Sequence, residues 1–498
     1  MRGKSAADEV FSLVARRVRR TRKWPRESLP ENEGNDSFVM DSLIRSLLTT
    51  DNLFNTTDEV LAWIARRNRE VNVGISEVPF SQLKGWGFDA STGNLRHESG
   101  KFFSIVGIDV YKNQDGITRW KQPIISQPEV GYLGIICKEF NGVLYFLLQS
   151  KIEPGNVNCV QLSPTLQATR SNYTCVHGGK CPAYLDYFKN AKAEQIILDQ
   201  LQSEQGARFF RKRNRNIIIR VDEEIDVGED FRWLTLGQIK QLMAYDNTVN
   251  MDTRTVLSGL HFSTGALPGC ETMSSFGSEL FSSEMHTDGE MTINGVLHRM
   301  SELKSRYELL VDKIPLNDVP DWMVTNAEIV RPDRRYFRVL GVNVTISNRE
   351  VSTWCQPIVQ PMQEGLCVLF IQRRKGILHF LMQAKVECGN FDVVEFAPTI
   401  QCLTGDFRKV SKPPRFVREF LDGHVRGRVL FDTKQSEEGG RFYHEQNRNV
   451  ILLLDEDVEL DERDDFIWLT LGQVKEFLRF NNYLNIQVRS LIASLQYV

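Results

Sequence analysis

The densest run of side chains able to do chemistry lies between Gln149 and Thr169. Gln149, Lys151 and Glu153 alternate along the chain, so on a strand all three share one face. A lysine beside a glutamate can serve as an acid–base pair, each shifting the other's proton affinity. The same two groups can also be a plain ion pair on a solvated sheet face. Further on, Arg170-Ser171-Asn172-Tyr173 leads to His177-Gly178-Gly179, placing a cation, a phenol and an imidazole beside a Gly-Gly turn. Such a loop has the parts for anion binding and proton transfer, or it packs its own tyrosine and caps something with its histidine. Arg208, Arg215, Arg441 and Arg448 are suited to bidentate contacts with a diphosphate, or to salt bridges that hold the fold together. Asn250-Met-Asp252-Thr-Arg254 could cap a helix or reach a neighbouring site.

Missing signatures narrow the chemistry. No G-x-G-x-x-G follows a strand, and there is no P-loop, no H-E-x-x-H and no G-x-S-x-G elbow. The nine cysteines include no Cys-x-x-Cys pair, so neither a zinc site nor a disulfide framework is expected, and a reduced, cytoplasmic protein is. Metal ligands and cofactors are therefore not expected; side chains would do the work on a substrate that is already activated. The 61 Lys+Arg against 64 Asp+Glu do not suit a nucleic-acid binder working through bulk charge. No apolar run is long enough to cross a membrane. The basic run from Arg16 to Lys23 is followed by Trp24-Pro25-Arg26-Glu27 rather than by an apolar stretch, so it reads as a solvated tail or the polar face of a helix.

The elements that must position these groups come in two copies. Trp120-Lys-Gln122-Pro123 returns as Trp354-Cys-Gln356-Pro357, and Gln149-Ser-Lys151-Ile-Glu153-Pro-Gly155-Asn156 as Gln383-Ala-Lys385-Val-Glu387-Cys-Gly389-Asn390. Pro164-Thr165-Leu-Gln167 returns as Pro398-Thr399-Ile-Gln401, and Trp233-Leu-Thr-Leu-Gly237-Gln238 as Trp468-Leu-Thr-Leu-Gly472-Gln473. The spacing stays at about 234 residues throughout, which means two homologous domains rather than a solenoid. The copies diverge after Gln167: the second lacks the Arg170, Tyr173 and His177 equivalents. Each copy reads as α+β, a mixed sheet with a few helices. Strands are expected over 102–110, 131–138 and 144–149, the last two joined by Asn141-Gly142, where both residues tolerate positive φ. The copy gives 366–372 and 377–383 around Lys375-Gly376, buried strands are expected over 217–221 and 450–454, and helices over 235–245 and 470–480. The expected layout is a helical leader over 1–72 with Asp58 as an N-cap, a first repeat over 73–260, a linker over 261–300 and a second repeat over 301–498. The Ser/Gly/Thr-rich stretch 263–289 reads as mobile.

Three blocks carry a family resemblance: Arg119-Trp120-Lys-Gln122-Pro123-Ile-Ile-Ser-Gln127-Pro-Glu129, Gln161-Leu-Ser-Pro-Thr165-Leu-Gln167-Ala-Thr-Arg170-Ser171-Asn172-Tyr173, and Gln202-Ser-Glu-Gln-Gly206-Ala-Arg208-Phe209. They resemble the NDP-hexose 2,3-dehydratase family from about residue 72 to the C-terminus. The resemblance implies tandem Nudix-like domains, a homodimer and a bacterial role in making 2-deoxysugars for antibiotics and other natural-product glycosides. It implies a dTDP-linked 4-keto-6-deoxyhexose as substrate and a 3-ketoreductase to consume the unstable product. The Nudix box G-x5-E-x7-R-E-x-x-E-E-x-G is missing from both repeats, so metal-dependent diphosphate hydrolysis is not expected. Under this resemblance His177 and Tyr173 are the expected acid–base pair, with Lys151 stabilising an enolate and Glu153 orienting it. Arg170, Arg208 and Arg215 are the expected diphosphate ligands and Trp120 a stacking partner for the base. Ser171, Asn172, Gln122, Gln149, Asn156, Gln161, Thr165, Gln167 and Arg254 complete the expected substrate contacts. A metal-dependent nucleotide-sugar hydrolase and a non-catalytic nucleotide-sugar binding protein remain as alternatives.

Overall fold

Alternating and wholly apolar strands on either side of tight turns build the two central sheets. The computed structural model describes residues 33–173, 181–262, 273–407, 413–461 and 463–498. Gly131–Phe140 and Val143–Ile152 form a hairpin whose turn holds Asn141 at φ 51° and Gly142 at φ 78°, the left-handed backbone that such a turn demands. The central sheet of the first half has the order Ile196–Ser203, Arg213–Arg220, Gly131–Phe140, Val143–Ile152, Phe231–Thr235. Arg213–Arg220 runs parallel to Gly131–Phe140, and the other neighbours along this order are antiparallel. Ile217, Ile218 and Ile219 are buried on both faces of that sheet, which is why their run does not alternate. The second half repeats the arrangement with Gly427–Ser436, Gln446–Leu454, Gly365–Arg374, Ile377–Lys385 and Phe466–Thr470. Lys375 and Gly376 occupy its hairpin turn at φ 52° and 80°.

Two further sheets are exchanged between the halves. Val73–Val78 does not pair with its own half but lies antiparallel to Phe337–Ile346, from Val73 opposite Ile346 to Val78 opposite Gly341. Reciprocally, Glu308–Ile314 lies against Ser104–Asn113. Each half thus lends its first strand to the other's Trp-x-Gln-Pro hairpin. Residues Met40–Val498 form one compact body.

Helices also come in equivalent pairs, and here the structure corrects the layout expected from sequence. The stretch read as a mobile linker contains Ser275–Met285, with Leu280 and Phe281 in the core, followed by Ile293–Arg306 with Val296, Met300 and Leu303 buried; residues 263–272 lie outside the described set. These two helices occupy in the second half the places that Glu33–Leu48 and Thr57–Glu70 occupy in the first. Ser46 Oγ accepts from the Leu236 amide at 2.8 Å, and Ser283 Oγ accepts from the Leu471 amide at 2.9 Å. Asp58 is not the N-cap of its helix. Thr56 is, closing a capping box with Glu59, while Asp58 sits in the first turn. Thr235 and Thr470 cap Leu236–Met243 and Leu471–Leu478 through the same device, with Gln238 and Gln473 as partners.

The junction between halves is polar and close. Gly155 donates its amide to Gly439 O at 2.7 Å, and Gly389 donates to Gly206 O at 2.6 Å. A Cβ on Gly155 would lie 1.6 Å from Phe442 O and one on Gly389 1.8 Å from Phe209 O, so only glycine permits these approaches. Arg254, fully buried, donates to Ser490 Oγ, Gln435 Oε1 and Ser436 O of the other half. Arg489 mirrors it on Thr255 Oγ1 and Ser203 O. Lys240 Nζ caps the carbonyls of Ala493 and Leu495, as Lys475 Nζ caps those of Ser258 and Leu260. Among the described residues six cysteines are free thiols and Cys181 is disulfide-bonded, where a reduced chain is expected from sequence. Among the described residues no helix is long and apolar enough to cross a membrane.

Candidate active site

A cavity of about 440 Å³ opens where the first central sheet meets the exchanged hairpin of the second half. That volume lies in the range of small-molecule sites. From the first half it is walled by Tyr132, Lys151, Glu153, Gln167, Lys212 and Asp252. The second half brings Arg349, Glu350, Trp354, Gln356, Glu438 and Arg441. The site is therefore built across the duplication and is incomplete in either half alone.

Its floor is a hydrogen-bonded frame. Lys151 Nζ donates to Gln167 O at 3.1 Å, Gln167 Nε2 donates to Glu153 Oε1 at 3.0 Å, and Asn250 Nδ2 donates to Gln167 Oε1 at 3.3 Å. Asn250 also caps Met251–Ser258 by accepting from the Thr253 amide. The cap orients the first turn of that helix and places Asp252 at the cavity wall. Glu153 Oε2 and Asp252 Oδ1 are buried without a protein partner, which leaves two carboxylate oxygens available to a ligand.

Burial sets the electrostatics. It pushes the Lys151 ammonium below its ordinary value, Arg349 adds to that, and Glu153, Glu350 and Asp252 work against it. Burial raises the Asp252 carboxyl well above the usual carboxylate range, reinforced by Glu438, Glu204 and Glu153 and opposed by Lys151. Glu438 is also raised, mainly by burial, with Arg441 pulling it down and Glu153 pushing it up. The same burial that lowers the proton affinity of Lys151 raises that of Asp252 and Glu438, which brings these groups closer in proton affinity and favours proton exchange among them.

Cations and aromatic rings line the remaining walls. Arg441 lies over the Phe103 ring at 4.3 Å and donates Nε to Gln127 Oε1 at 3.1 Å. Arg349, on the tip of the exchanged hairpin, donates to Ile152 O at 3.2 Å. Lys212, 5% exposed, donates to Glu129 O. At one end Trp86, His97 and Phe102 pack edge to face, with Trp86–His97 centroids 5.4 Å apart and His97–Phe102 centroids 4.6 Å apart. Among the described residues no group of three or more His, Cys, Asp or Glu is disposed to hold a metal ion.

The structure brings together Lys151, Glu153, Gln167 and Asn172 of the residues expected from sequence. Others serve the fold. Arg215 is held by Asp199 through two contacts at 2.7 and 2.6 Å and lies over Tyr132. Arg208 stacks on Phe337 at 4.6 Å and faces Glu445, away from the cavity. Arg254 is spent on the junction. Thr165 ties Leu147 O to the Ile136 amide, Gln161 accepts from Ser436 Oγ at 2.7 Å, and Asn156 donates to Cys159 O at 2.7 Å. Gln149 is half-buried on its strand and does not line the cavity. Trp120 donates to Gln122 Oε1 at 2.8 Å outside the cavity; because the hairpins are exchanged, their copies Trp354 and Gln356 face it instead. Tyr173 packs edge to face on Tyr132 at 5.4 Å and is not on the cavity wall, and Arg170 is exposed on the same short helix. His177 and the Ser171 side chain lie outside the described residues. Sequence reasoning missed Asp252 and Glu438 as wall residues. The available signal was the aligned copies, which have Gln487 and Gln205 at those positions.

Comparison with known proteins agrees with the duplication and gives it a chemistry. A family model described as NDP-hexose 2,3-dehydratase matches residues 57–260 and again 294–495. The chain is 44% identical over 458 residues to a Saccharopolyspora spinosa protein named dTDP-4-dehydro-6-deoxy-alpha-D-glucopyranose 2,3-dehydratase, covering 91% of this chain and 94% of that one. Proteins of the same name from Amycolatopsis orientalis and Streptomyces violaceoruber are each 40% identical, over 91% and 87% of this chain and 93% and 96% of theirs.

Proposed function

The chain belongs to the NDP-hexose 2,3-dehydratase family, and from that premise we propose that its cavity dehydrates dTDP-4-keto-6-deoxy-D-glucose. The C4 ketone of that sugar acidifies the C3 proton. Removal of this proton gives an enolate, whose collapse expels the C2 hydroxyl as water. The resulting enol becomes a dTDP-3,4-diketo-2,6-dideoxyhexose when C2 is protonated, with no redox cofactor consumed. The observation that carries the reading is the buried Lys151 within a carboxyl cluster, on the wall of a cavity large enough for a sugar nucleotide's reacting end. Lys151 faces the C4 oxygen and offsets the enolate charge, and Glu153, held by Gln167, orients it. Arg349 and Arg441 take the diphosphate in place of Arg208 and Arg215. The Trp86–His97–Phe102 end takes the thymine, the stacking role that Trp120 cannot reach.

The duplicated mixed sheets, each with one parallel strand pair, support a Nudix-like ancestry for domains near 73–260 and 301–498. The diketone product calls for a 3-ketoreductase downstream, within deoxysugar assembly for antibiotic glycosides. We take the working form to be a cytoplasmic homodimer.

The test is to incubate the protein with dTDP-4-keto-6-deoxyglucose in deuterated water, without added metal, and follow the sugar nucleotide by mass spectrometry. Loss of one water with deuterium entering at C2 is expected. Intact substrate, even with a ketoreductase present to trap product, would exclude this substrate. Nucleoside monophosphate appearing only on addition of Mg²⁺ would point to a hydrolase instead.

A further inference from the structure

The duplication supplies an internal control on which residues of the cavity handle protons. The frame is common to both halves. In the second half Lys385 Nζ donates to Gln401 O at 3.0 Å, Gln401 Nε2 to Glu387 Oε1 at 3.1 Å, and Asn485 Nδ2 to Gln401 Oε1 at 2.7 Å. Around that identical frame several wall positions differ, Lys212 against Glu445 and Tyr132 against Leu366 among them, and three of the differences concern the carboxyls. Asp252 is replaced by Gln487, Glu438 by Gln205, and Gly440 by Ala207. At two of them a group that can move a proton in the cavity gives way to an amide that cannot. The third makes room for Glu438 and Glu153. A Cβ on Gly440 would lie 2.9 Å from Glu438 Oε1 and 3.1 Å from Glu153 Oε1, so glycine leaves open the point where these carboxyls converge.

We propose that Asp252 and Glu438, one carboxyl from each half, are the proton-handling pair of the dehydration, Glu438 taking the C3 proton and Asp252 protonating the departing C2 hydroxyl. The assignment rests on the dehydratase reading of the cavity. Asp252 is 2% exposed, points an unpartnered oxygen at the wall, and sits on the capped first turn of Met251–Ser258. It is the deeper of the two and holds its proton, as a general acid must. Glu438 is half-buried, and burial raises its proton affinity while Arg441 opposes the rise; a carboxylate of raised proton affinity is the stronger base. The atoms balance. The C3–H pair becomes the C3=C4 enolate while the proton goes to Glu438. The enolate then re-forms the C4 carbonyl and a C2=C3 double bond, and the C2–O bond breaks as its oxygen takes the Asp252 proton and leaves as water. The two carboxyls end with as many protons as they began with, and transfer from Glu438 to Asp252 resets the site.

Asp252→Asn and Glu438→Gln in the full chain, assayed in deuterated water, test the pair. Exchange at C3 and release of water are followed separately, with melting temperature as the control for folding. Asp252→Asn should keep C3 exchange within about threefold of the parent while water loss falls ~10²–10⁴-fold. Glu438→Gln should lose both by a similar factor. Gln205 shows that glutamine is accommodated at the equivalent place. Asp252→Gln, which installs the residue of the other half, is the second variant should the asparagine fail to fold. Either folded variant releasing water within about threefold of the parent would overturn the pair, as would loss of C3 exchange in Asp252→Asn with retention in Glu438→Gln. A parent protein that leaves the substrate intact would instead count against the dehydratase reading itself.

Discussion

The two halves carry the same Lys–Gln–Glu–Asn frame, yet only the Lys151 copy opens on the 440 Å³ cavity. Lys385, Glu387 and Gln487 are not on its wall. The frame is therefore an architectural inheritance, a way to brace a strand pair against a capped helix, and on the proposed dehydratase reading the chemistry belongs to one copy of it. Lys151 belongs to both categories. Its hydrogen bond to a carbonyl is structural, while its position at the cavity, under Arg349 and among carboxyls, makes it available to a developing enolate.

The sharpest way to break that comparison is to delete the lysine on each side. Lys151→Met should lower turnover by ~10²–10³-fold, the scale for losing a preorganised group that stabilises an oxyanion. Lys385→Met should leave turnover within about threefold and show its effect in thermal stability, where an unsatisfied Gln401 carbonyl costs about 1–3 kcal/mol. Steady-state kinetics and melting curves on the two proteins separate the outcomes. Equal losses of turnover would show that both halves take part in the chemistry.

At the junction the halves are expected to behave alike. Arg254 and Arg489 are fully buried and each reaches across to the other half. Replacement of either by methionine leaves carbonyls and hydroxyls without donors and should cost about 2–4 kcal/mol, read as a drop of several degrees in melting temperature. Where Lys151 and Lys385 should separate, these two should not. A large difference between them would mean that the pseudo-symmetry of the junction is only geometric.

What the sequence made legible follows the range of the interactions. The hairpin at Asn141-Gly142 and the capped helix after Thr235 are written in adjacent residues, and both are present. The exchange of Val73–Val78 for Glu308–Ile314 is not, because either strand can satisfy the edge of either hairpin and only three-dimensional placement decides between them. The helices 275–285 and 293–306 escaped as copies of 33–48 and 57–70 because the equivalence rests on apolar spacing and one serine, with few identities, inside a stretch rich in Ser and Gly. In the site, Lys151, Glu153 and Gln167 stood out by polar density. Asp252 was noticed only inside a helix-capping motif, and Asn250 is indeed that cap. Glu438 lay hidden in the copy that had lost its loop groups. Tyr173, the residue whose absence from the second copy drew attention, packs on Tyr132 instead.

The smallest effect concerns a matched pair of buried carboxyls, one in each half. Glu204 and Glu437 occupy equivalent positions, both buried, with Asn214 and Asn447 donating to them. Burial raises Glu204 to about 8 and Glu437 only to about 7. The neighbours explain the order. Glu204 faces Glu438, a like charge that raises it further, against Lys212 and Arg489, which lower it. Glu437 has Gln205 in the equivalent place, and that amide donates to it and lowers it, against Glu445, which raises it. Both folded values lie above the ordinary 4.5, so the unfolded chain releases these protons first as pH rises. The associated stability is complete below about pH 4.5 and is lost as pH climbs through about 7 for Glu437 and about 8 for Glu204. Glu438→Gln gives Glu204 the neighbour that Glu437 already has. Melting temperature followed from pH 5 to 9 should then show the upper part of the decline moving down toward pH 7, while Glu204→Gln should remove that part and leave the Glu437 portion in place. An unchanged profile in Glu438→Gln would mean that burial alone, and not the carboxylate contributed by the second half, sets the higher value.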